Sequence, residues 1–277
     1  MSGSAAMKIA VTGALGRVGR AMVDAALSEG HEVTAIDRVK GDGVSSDAVT
    51  LDLTDYGAVV EALDGCDALV HLAAISGPDQ DADHVVHDNN VVSSYHAMRA
   101  AIDVGITRIC QASSINAIGG RFSRDPHYDY FPVDERHPSY AEDPYSLSKW
   151  ICEQQADALA RRFDSISIAS LRLHGIVESR DQARAWQQMP DIVRRQLWGY
   201  TTLSAAARAF LLGITAPFAG HEVFYVVAPD TMADQPSDEL ANHHYPNVSR
   251  RSSFAGDAGF FDTRKAAEIL GWTHGSP

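Results

Sequence analysis

Along residues 8–173, short apolar runs alternate with stretches whose apolar positions recur at three- and four-residue spacing. Ile9-Ala10-Val11 is the first run. Arg17 to Ser28 then places Val18, Met22, Ala25 and Ala26 at helical spacing, and Gly30 fits a stop. His31 to Asp37 predicts a second strand, Val49 to Leu53 a short third one, and Asp55 to Leu63 a helix. Ala68 to Ala74 is almost continuously apolar, as in a central parallel strand buried on both faces. The order continues with a helix from about His84 to Val104 and a strand, Arg108 to Ala112, that delivers Ser113-Ser114 to its end. A helix from Pro144-Tyr145 to about Arg162 and a strand from Ser167 to Leu173 follow. Strand and helix in alternation predict an α/β fold, a doubly wound parallel sheet with right-handed crossovers. Two stretches lack a period: a polar loop over 39–48 and a long polar, aromatic segment over 119–143. Loops of that length carry function or flexibility. Beyond His174 the pattern loosens into a polar, Trp- and Gln-rich stretch over 176–202. A helix (Ser204 to Thr215), a strand (Glu222 to Ala228) and the tail Phe260-Phe261-Asp262, helix Thr263 to Leu270 and Gly271-Trp272 complete the chain.

Composition narrows the function. At 277 residues the chain can bury a large core. Its formal charge of −13 argues against a nucleic-acid partner, whose binders concentrate Lys and Arg. Only four lysines stand beside nineteen arginines, so a lysine inside a motif draws notice. Cys66, Cys110 and Cys152 have no C-x-x-C spacing and read as buried free thiols of a reducing cytoplasm. No apolar run reaches the ~18 residues of a membrane span. Met1 to Ala6 lacks the charge and apolar stretch of a signal peptide and is expected to be a frayed tail, so the protein is expected in the cytoplasm. His84 and His87 lie one helical turn apart without a third ligand, which makes no metal site.

The chemistry gathers at three places. Thr12-Gly13-Ala14-Leu15-Gly16-Arg17-Val18-Gly19 follows the first strand directly. Gly13 permits a tight turn, Gly16 lets backbone approach a bulky anion, and Gly19 lets the helix pack on the sheet. The helix N-terminus offers N–H groups and partial positive charge to a pyrophosphate. Asp37 ends the second strand 24 residues past Gly13, where a carboxylate would bind a ribose diol and favour NAD. Arg38 beside it could instead take a 2′-phosphate, which keeps NADP open. Finally, Tyr145-Ser146-Leu147-Ser148-Lys149 puts a phenol and an ammonium on one helical face. A neighbouring cation is expected to pull a phenol from ~10 toward neutral, where it serves as a base. Ser114, at a strand end, would hold a carbonyl or alcohol oxygen.

The set T-G-x-x-G-x-x-G, D-L after the third strand, H-L-A-A, S-S-x-x-x-x-G and Y-x-x-x-K resembles the extended short-chain dehydrogenase/reductase superfamily, its epimerase/dehydratase-like group. The resemblance runs from Lys8 to Trp272. It implies a Rossmann domain over 1–175 and a small substrate-binding region over 176–277, whose elements around 200–228 return to the sheet. It implies that Gly13, Gly16, Arg17 and Val18 hold a pyrophosphate, that Asp37 binds the adenosine ribose and that Asp52 and Leu53 border the adenine. Ala73 and Ala74 would line the cofactor path, and Asn90 would lie near the nicotinamide ribose. Ser114, Tyr145 and Lys149 match the catalytic trio, with Lys149 also on ribose, and Ser76, Asn116 and His174 fall where members touch substrate. A homodimer is implied as well.

Two departures bear on the substrate. Ile118 precedes Gly119 where members commonly carry tyrosine, and Leu171-Arg172-Leu173-His174-Gly175 lacks the asparagine of nucleotide-sugar enzymes. The C-terminal part is also short for a nucleotide-diphosphate sugar. Ala112 to Gly119 looks most like the serine segment of uronate dehydrogenases, and Arg172 and Arg180 are the arginines nearby that a uronate carboxylate could use. The sequence therefore predicts an NAD-dependent oxidoreductase of a small sugar-like alcohol, aldehyde or uronate. A nucleotide-sugar epimerase or dehydratase that retains its NAD, and a non-catalytic NAD(P)-binding redox sensor, are the alternatives.

Overall fold

The computed structural model describes residues 6–41 and 48–275. Met1 to Ala5 of the expected tail and residues 42–47 of the polar loop lie outside the described residues. Seven parallel strands form the main sheet: β1 (Lys8–Thr12), β2 (Glu32–Asp37), β3 (Val49–Thr50), β4 (Ala68–His71), β5 (Arg108–Ser114), β7 (Ser167–Leu173) and β10 (Gly220–Val226). Here β6 (Tyr130–Phe131), β8 (Ile176–Val177), β9 (Thr201–Thr202) and β11 (Ser249–Arg250) are short strands outside that sheet. The sheet order is β3-β2-β1-β4-β5-β7-β10, with every pairing parallel. The chain winds outward from β1 to one edge, returns beside β1 as β4, and winds to the other edge. This is the expected doubly wound arrangement, and its direction reverses between β1 and β4.

Alternation along each strand feeds two cores. Ile9 and Val11 of β1 face α1 (Arg17–Ser28) and α7 (Leu203–Thr215), while Ala10 faces the layer of α2 (Tyr56–Leu63), α3 (Asp83–Asp103) and α4 (Pro144–Arg162). Both faces of a parallel sheet are thereby dry. Local signals fix the helix starts. Asp55 Oδ1 accepts from Ala58 N at 3.2 Å, and Asp143 Oδ1 accepts from Ser146 N at 2.9 Å with Pro144 in the first turn. At the chain's far end Gly271 adopts φ +69°, and Trp272 is buried with its indole N–H on Ala205 O at 2.9 Å.

The structure corrects several boundaries. The third strand stops at Thr50 because Asp52 turns the chain, its carboxylate accepting from Thr54 N and Oγ1, both at 2.8 Å. The assigned strand stops at His71; Leu72 N still donates to Thr12 O at 3.1 Å, and past it the run leaves the ladder, with Ala73 N on Thr12 Oγ1 at 3.4 Å. The loop over 119–143 contains β6, which pairs with β11. The 176–202 stretch holds α5 (Arg180–Arg184), α6 (Pro190–Arg195) and the β8–β9 pair, and α8 (Ser237–His244) stands where no element was expected. Two-residue strands leave no period to read. These pieces enclose a third core around Phe131, Trp198, Tyr245 and Phe260, rich in edge-to-face rings.

A buried ion pair seats α4 on the sheet. Arg172 of β7 donates from Nε and Nη2 to the two oxygens of Glu153 on α4, at 2.9 and 2.7 Å, and from Nη1 to the Tyr225 hydroxyl at 3.1 Å. Ser113 Oγ donates to the same carboxylate at 2.6 Å. Both charged side chains are almost wholly buried, so neither can lose its partner cheaply. Arg172→Met should cost about 3–5 kcal/mol. Urea unfolding checks this, and a midpoint within error of the parent would show that the pair does not hold the helix.

Candidate active site

Ligands of such sheets bind beyond the carboxyl ends of the strands at the reversal point. Two adjoining cavities lie there, sharing Leu72 and Ala74 on their walls. The first, about 370 Å³, is lined by Gly13, Gly16, Asp37, Asp52, Leu53 and Ala73 among others. Its floor is a close approach of three backbone segments. A β-carbon on Gly19 would strike the Gly13 carbonyl oxygen, and one on Gly13, at φ +69°, would lie 2.7 Å from Ala73 N. Gly16 caps α1 without a side-chain hydrogen bond, and the first turn contains no acidic residue. Its N–H groups are available to an anion. A dinucleotide pyrophosphate fits this cradle. Asp37 Oδ2 accepts from Leu15 N at 3.0 Å and Oδ1 from Val39 N at 3.3 Å, which holds the carboxylate on the cavity wall next to Arg38. The Asp52 carboxyl is held below its ordinary pKa, first by the Thr54 backbone hydrogen bond.

The second cavity, about 310 Å³, brings Ser76, Ser114, Asn116, Tyr145, Lys149 and His174 together, with Val18 at its cofactor side. Ser114 Oγ accepts from Asn116 N at 3.1 Å and Nδ2 at 3.3 Å, and hydrogen-bonds the Tyr145 phenol. With both lone pairs taken, its single proton is the one left to give. The Lys149 ammonium donates to Ala112 O at 2.9 Å and lies 5.9 Å from the Tyr145 ring centre. The expectation that this cation brings the phenol toward neutral is corrected here. Burial pushes Tyr145 up to about 12, with the Ser114 hydrogen bond pulling the other way, and burial also lowers Lys149. Desolvation outweighs a cation that stands off the ring.

His174 meets the cavity as a neutral ring. Its Nδ1 accepts from Gly175 N at 2.6 Å, so Nε2 donates to Gln196 O at 2.9 Å, and burial pushes it down to about 4. Ser76 Oγ accepts from Gln80 Nε2 at 3.0 Å. Two of the expected residues stand outside both cavities. Arg17 points to β8, with Nη1 on Ile176 O at 3.0 Å and Nη2 on Glu178 at 2.6 Å. Asn90 is buried in α3, where its amide clamps Ile75 N at 2.8 Å, Ile75 O at 3.0 Å and Ser148 Oγ at 3.0 Å, while its neighbour Asn89 reaches the first cavity. Neither arginine considered for a carboxylate is free: Arg172 is held by Glu153, and Arg180 is held by Thr231 O, Asp230 and Asp257. Arg121, Phe122 and Gln196 line the second cavity instead. They come from aperiodic segments, and their only sequence signal was a basic–aromatic pair in an overlong loop.

The sequence profile of the NAD dependent epimerase/dehydratase family matches residues 9–199. L-arabinose 1-dehydrogenase (NAD(P)(+)) of Haloferax volcanii is 42% identical over 107 residues, 39% of this chain and 41% of that enzyme. NAD-dependent glucose-6-phosphate dehydrogenase of the same organism is 27% identical over 187 residues, 61% of this chain and 69% of that one. Among solved structures, glucuronic acid dehydrogenase of Chromohalobacter salexigens superposes with a TM-score of 0.71 at 23% identity, covering 98% of this chain and 85% of that one. The match thus spans less than half of the first relative's length, and the last likeness shows the fold.

Beneath the cavities, burial also pushes His71 down to about 3, the Lys149 charge adding to it, with Nδ1 2.8 Å from Thr12 Oγ1. A histidine whose pKa falls on folding binds fewer protons in the native state, so its stability contribution is complete above ~6.5. That contribution disappears as pH drops toward the folded value of about 3. His71→Gln should lower the slope of unfolding free energy against pH between ~6.5 and ~4 by about one proton, ~1.4 kcal/mol per pH unit. Urea titrations at a series of pH values check this, and parallel curves for both proteins would exclude the buried neutral ring.

Proposed function

The chain belongs to the NAD dependent epimerase/dehydratase family, and we propose that within it this protein is an NAD-dependent oxidoreductase of a small sugar-like alcohol or aldehyde. The observation that carries the reading is the meeting of Ser114, Tyr145 and Lys149 on one wall of a cavity that opens into the glycine-turn cradle. Gly13, Gly16 and the open start of α1 would hold the cofactor's pyrophosphate, Asp37 its adenosine ribose and Lys149 its second ribose. When bound, NAD supplies the hydride acceptor and donor. Ser114 orients the reacting oxygen, Tyr145 moves its proton, and Lys149 keeps a positive charge beside the phenol. His174 and Asn116 bound the space left for substrate. The second cavity must also admit the nicotinamide end, and its volume of about 310 Å³ is at the lower limit of ligand pockets, ~300 Å³. That favours a free sugar over a nucleotide sugar, and residues 176–202 with the third core form its cover. Free, buried cysteines accord with a reducing cytoplasm. Among the described residues, no helix is long and apolar enough to cross a membrane.

Tyr145→Phe should lose turnover by at least ~10²-fold while NAD affinity, read by calorimetry, stays within about threefold of the parent. Near-normal turnover would end the assignment. The pH dependence has a definite sign. Alcohol oxidation needs the phenolate, which a raised pKa makes scarce, so its rate should climb about tenfold per pH unit through neutrality. Aldehyde reduction uses the phenol and should stay flat over that range. Ser114→Ala removes the hydrogen bond that lowers Tyr145 and should displace the oxidation limb to higher pH. Net NADH accumulation at 340 nm separates this reading from an epimerase, which returns its hydride.

A homodimer through α3 and α4 is part of the proposal. Val92 and Tyr95 of α3 and Trp150 of α4 are large apolar side chains exposed on the two helices that pack side by side. Trp150→Glu should convert a dimer to a monomer in size-exclusion chromatography with light scattering. A parent that elutes as a monomer would refute the dimer.

A further inference from the structure

The chain has a formal charge of −13, yet among the described residues the wall of the cavity holding Tyr145 has no Asp or Glu and two cations, Lys149 and Arg121. Their situations differ. Lys149 is buried and spends a proton on the Ala112 carbonyl. Arg121 reaches the cavity from the exposed loop after Gly120. Among the described residues no carboxylate or carbonyl engages its guanidinium, whose contact is the Phe122 ring, 5.0 Å from guanidinium carbon to ring centre. That ring meets the Tyr145 ring edge-on at 5.9 Å and 87°. The backbone is keyed to the same wall: Arg121 N donates to Asn116 Oδ1 at 3.1 Å, and Asn116 Nδ2 donates to Ser114 Oγ at 3.3 Å. The Arg121 charge also acts across the cavity on His174, adding to the burial that lowers it.

We propose that Arg121 is the specificity residue of this cavity, selecting sugars that carry an anion, a carboxylate or a phosphate, at the end remote from the carbon that reacts. The inference deepens the oxidoreductase reading and rests on it for the identity of the reacting end. A guanidinium is charged at every working pH, and its planar fork matches both anions with paired hydrogen bonds. Stacking on Phe122 restrains it before a ligand arrives, which reduces the ordering cost of binding. With no acid on the wall, an anion meets no repulsion there. Arg172 and Arg180 cannot substitute, because each is already paired away from the cavity.

The test compares D-glucuronate, D-glucose 6-phosphate and neutral D-glucose with the NAD-loaded parent, Arg121→Gln and Arg121→Lys. The parent should favour at least one anionic sugar over glucose in kcat/KM by roughly ten- to a hundredfold, the range of a hydrogen bond to a charged group. Arg121→Gln should bring that ratio close to one, through KM more than kcat, and Arg121→Lys should restore part of it. Preference for the uronate or for the phosphate tells which anion is the natural one. A second readout needs no turnover: calorimetry on NAD-loaded Tyr145→Phe should detect the preferred anionic sugar, and adding Arg121→Gln should abolish the heat. A parent without anion preference in both measurements, or Arg121→Gln retaining it, overturns the inference. Anion binding through Arg121 without NAD reduction from any sugar would instead overturn the oxidoreductase reading and leave Arg121 assigned. NAD reduction confined to neutral sugars would do the reverse.

Discussion

At the reversal point of the sheet, three pieces of backbone meet with no space for a β-carbon between them. Gly19 touches the Gly13 carbonyl, and Gly13 touches the chain at Ala73. Because these contacts are backbone on backbone, α1 must begin directly above the gap between β1 and β4. Its first turn therefore opens into the cleft and not onto the sheet. Both cavities follow from that placement. One extends along the ends of β2 and β3 toward Asp37 and Asp52, the other along the ends of β5 and β7 toward Ser114 and His174. A side chain at either glycine would lift the helix and close the corner where its first-turn N–H groups face the cleft.

On the other side of the cleft the constraint is a buried charge. Glu153 and Arg172 satisfy each other and draw in Ser113 and Tyr225, so α4 is bound to β5, β7 and β10 at one point. The helix face one and two turns before Glu153 then has to meet the strand ends, which puts Lys149 and Tyr145 where Ser114 arrives. The same burial has a chemical consequence. Excluding water raises the phenol and lowers the ammonium, so the environment that positions the two groups disfavours the charged form of each. Ser114 works against that trend from within the site, and any cationic ring bound beside it would act in the same direction.

The outer wall of the second cavity is assembled from distant segments that have little regular structure of their own. Tyr128 O–H donates to Arg195 O at 2.8 Å, His174 to Gln196 O at 2.9 Å, and Arg17 reaches Glu178 at 2.6 Å. Aromatic contacts around Phe131, Tyr245 and Phe260 hold these loops as a third core. The cover is thus stiff where its rings interlock, and Arg17 ties it to the glycine turn through Ile176 O and Glu178. In the proposed reading, substrate choice belongs to this part, since Ser114, Tyr145 and Lys149 take up the sheet ends.

The amino-acid sequence by itself determined whatever depends on neighbours in the chain. Strand and helix periods set the parallel doubly wound sheet, glycine spacing set the turn after β1, and a separation of four residues put Tyr145 and Lys149 on one face. Capping by Asp55 and Asp143 belongs to the same class. Tertiary structure alone decided what depends on residues far apart. Asn90, placed by resemblance beside a ribose, is consumed in clamping Ile75; Arg17 turns to the 176–202 segment. Arg172 and Arg180 find acids in other elements, and Arg121 is left facing the cavity. The proton affinity of Tyr145 is of this kind as well, because a sequence shows the cation one turn away and not the depth of burial that outweighs it. Short-range geometry is written in residue order, whereas desolvation and pairing are settled only when distant segments close over one another.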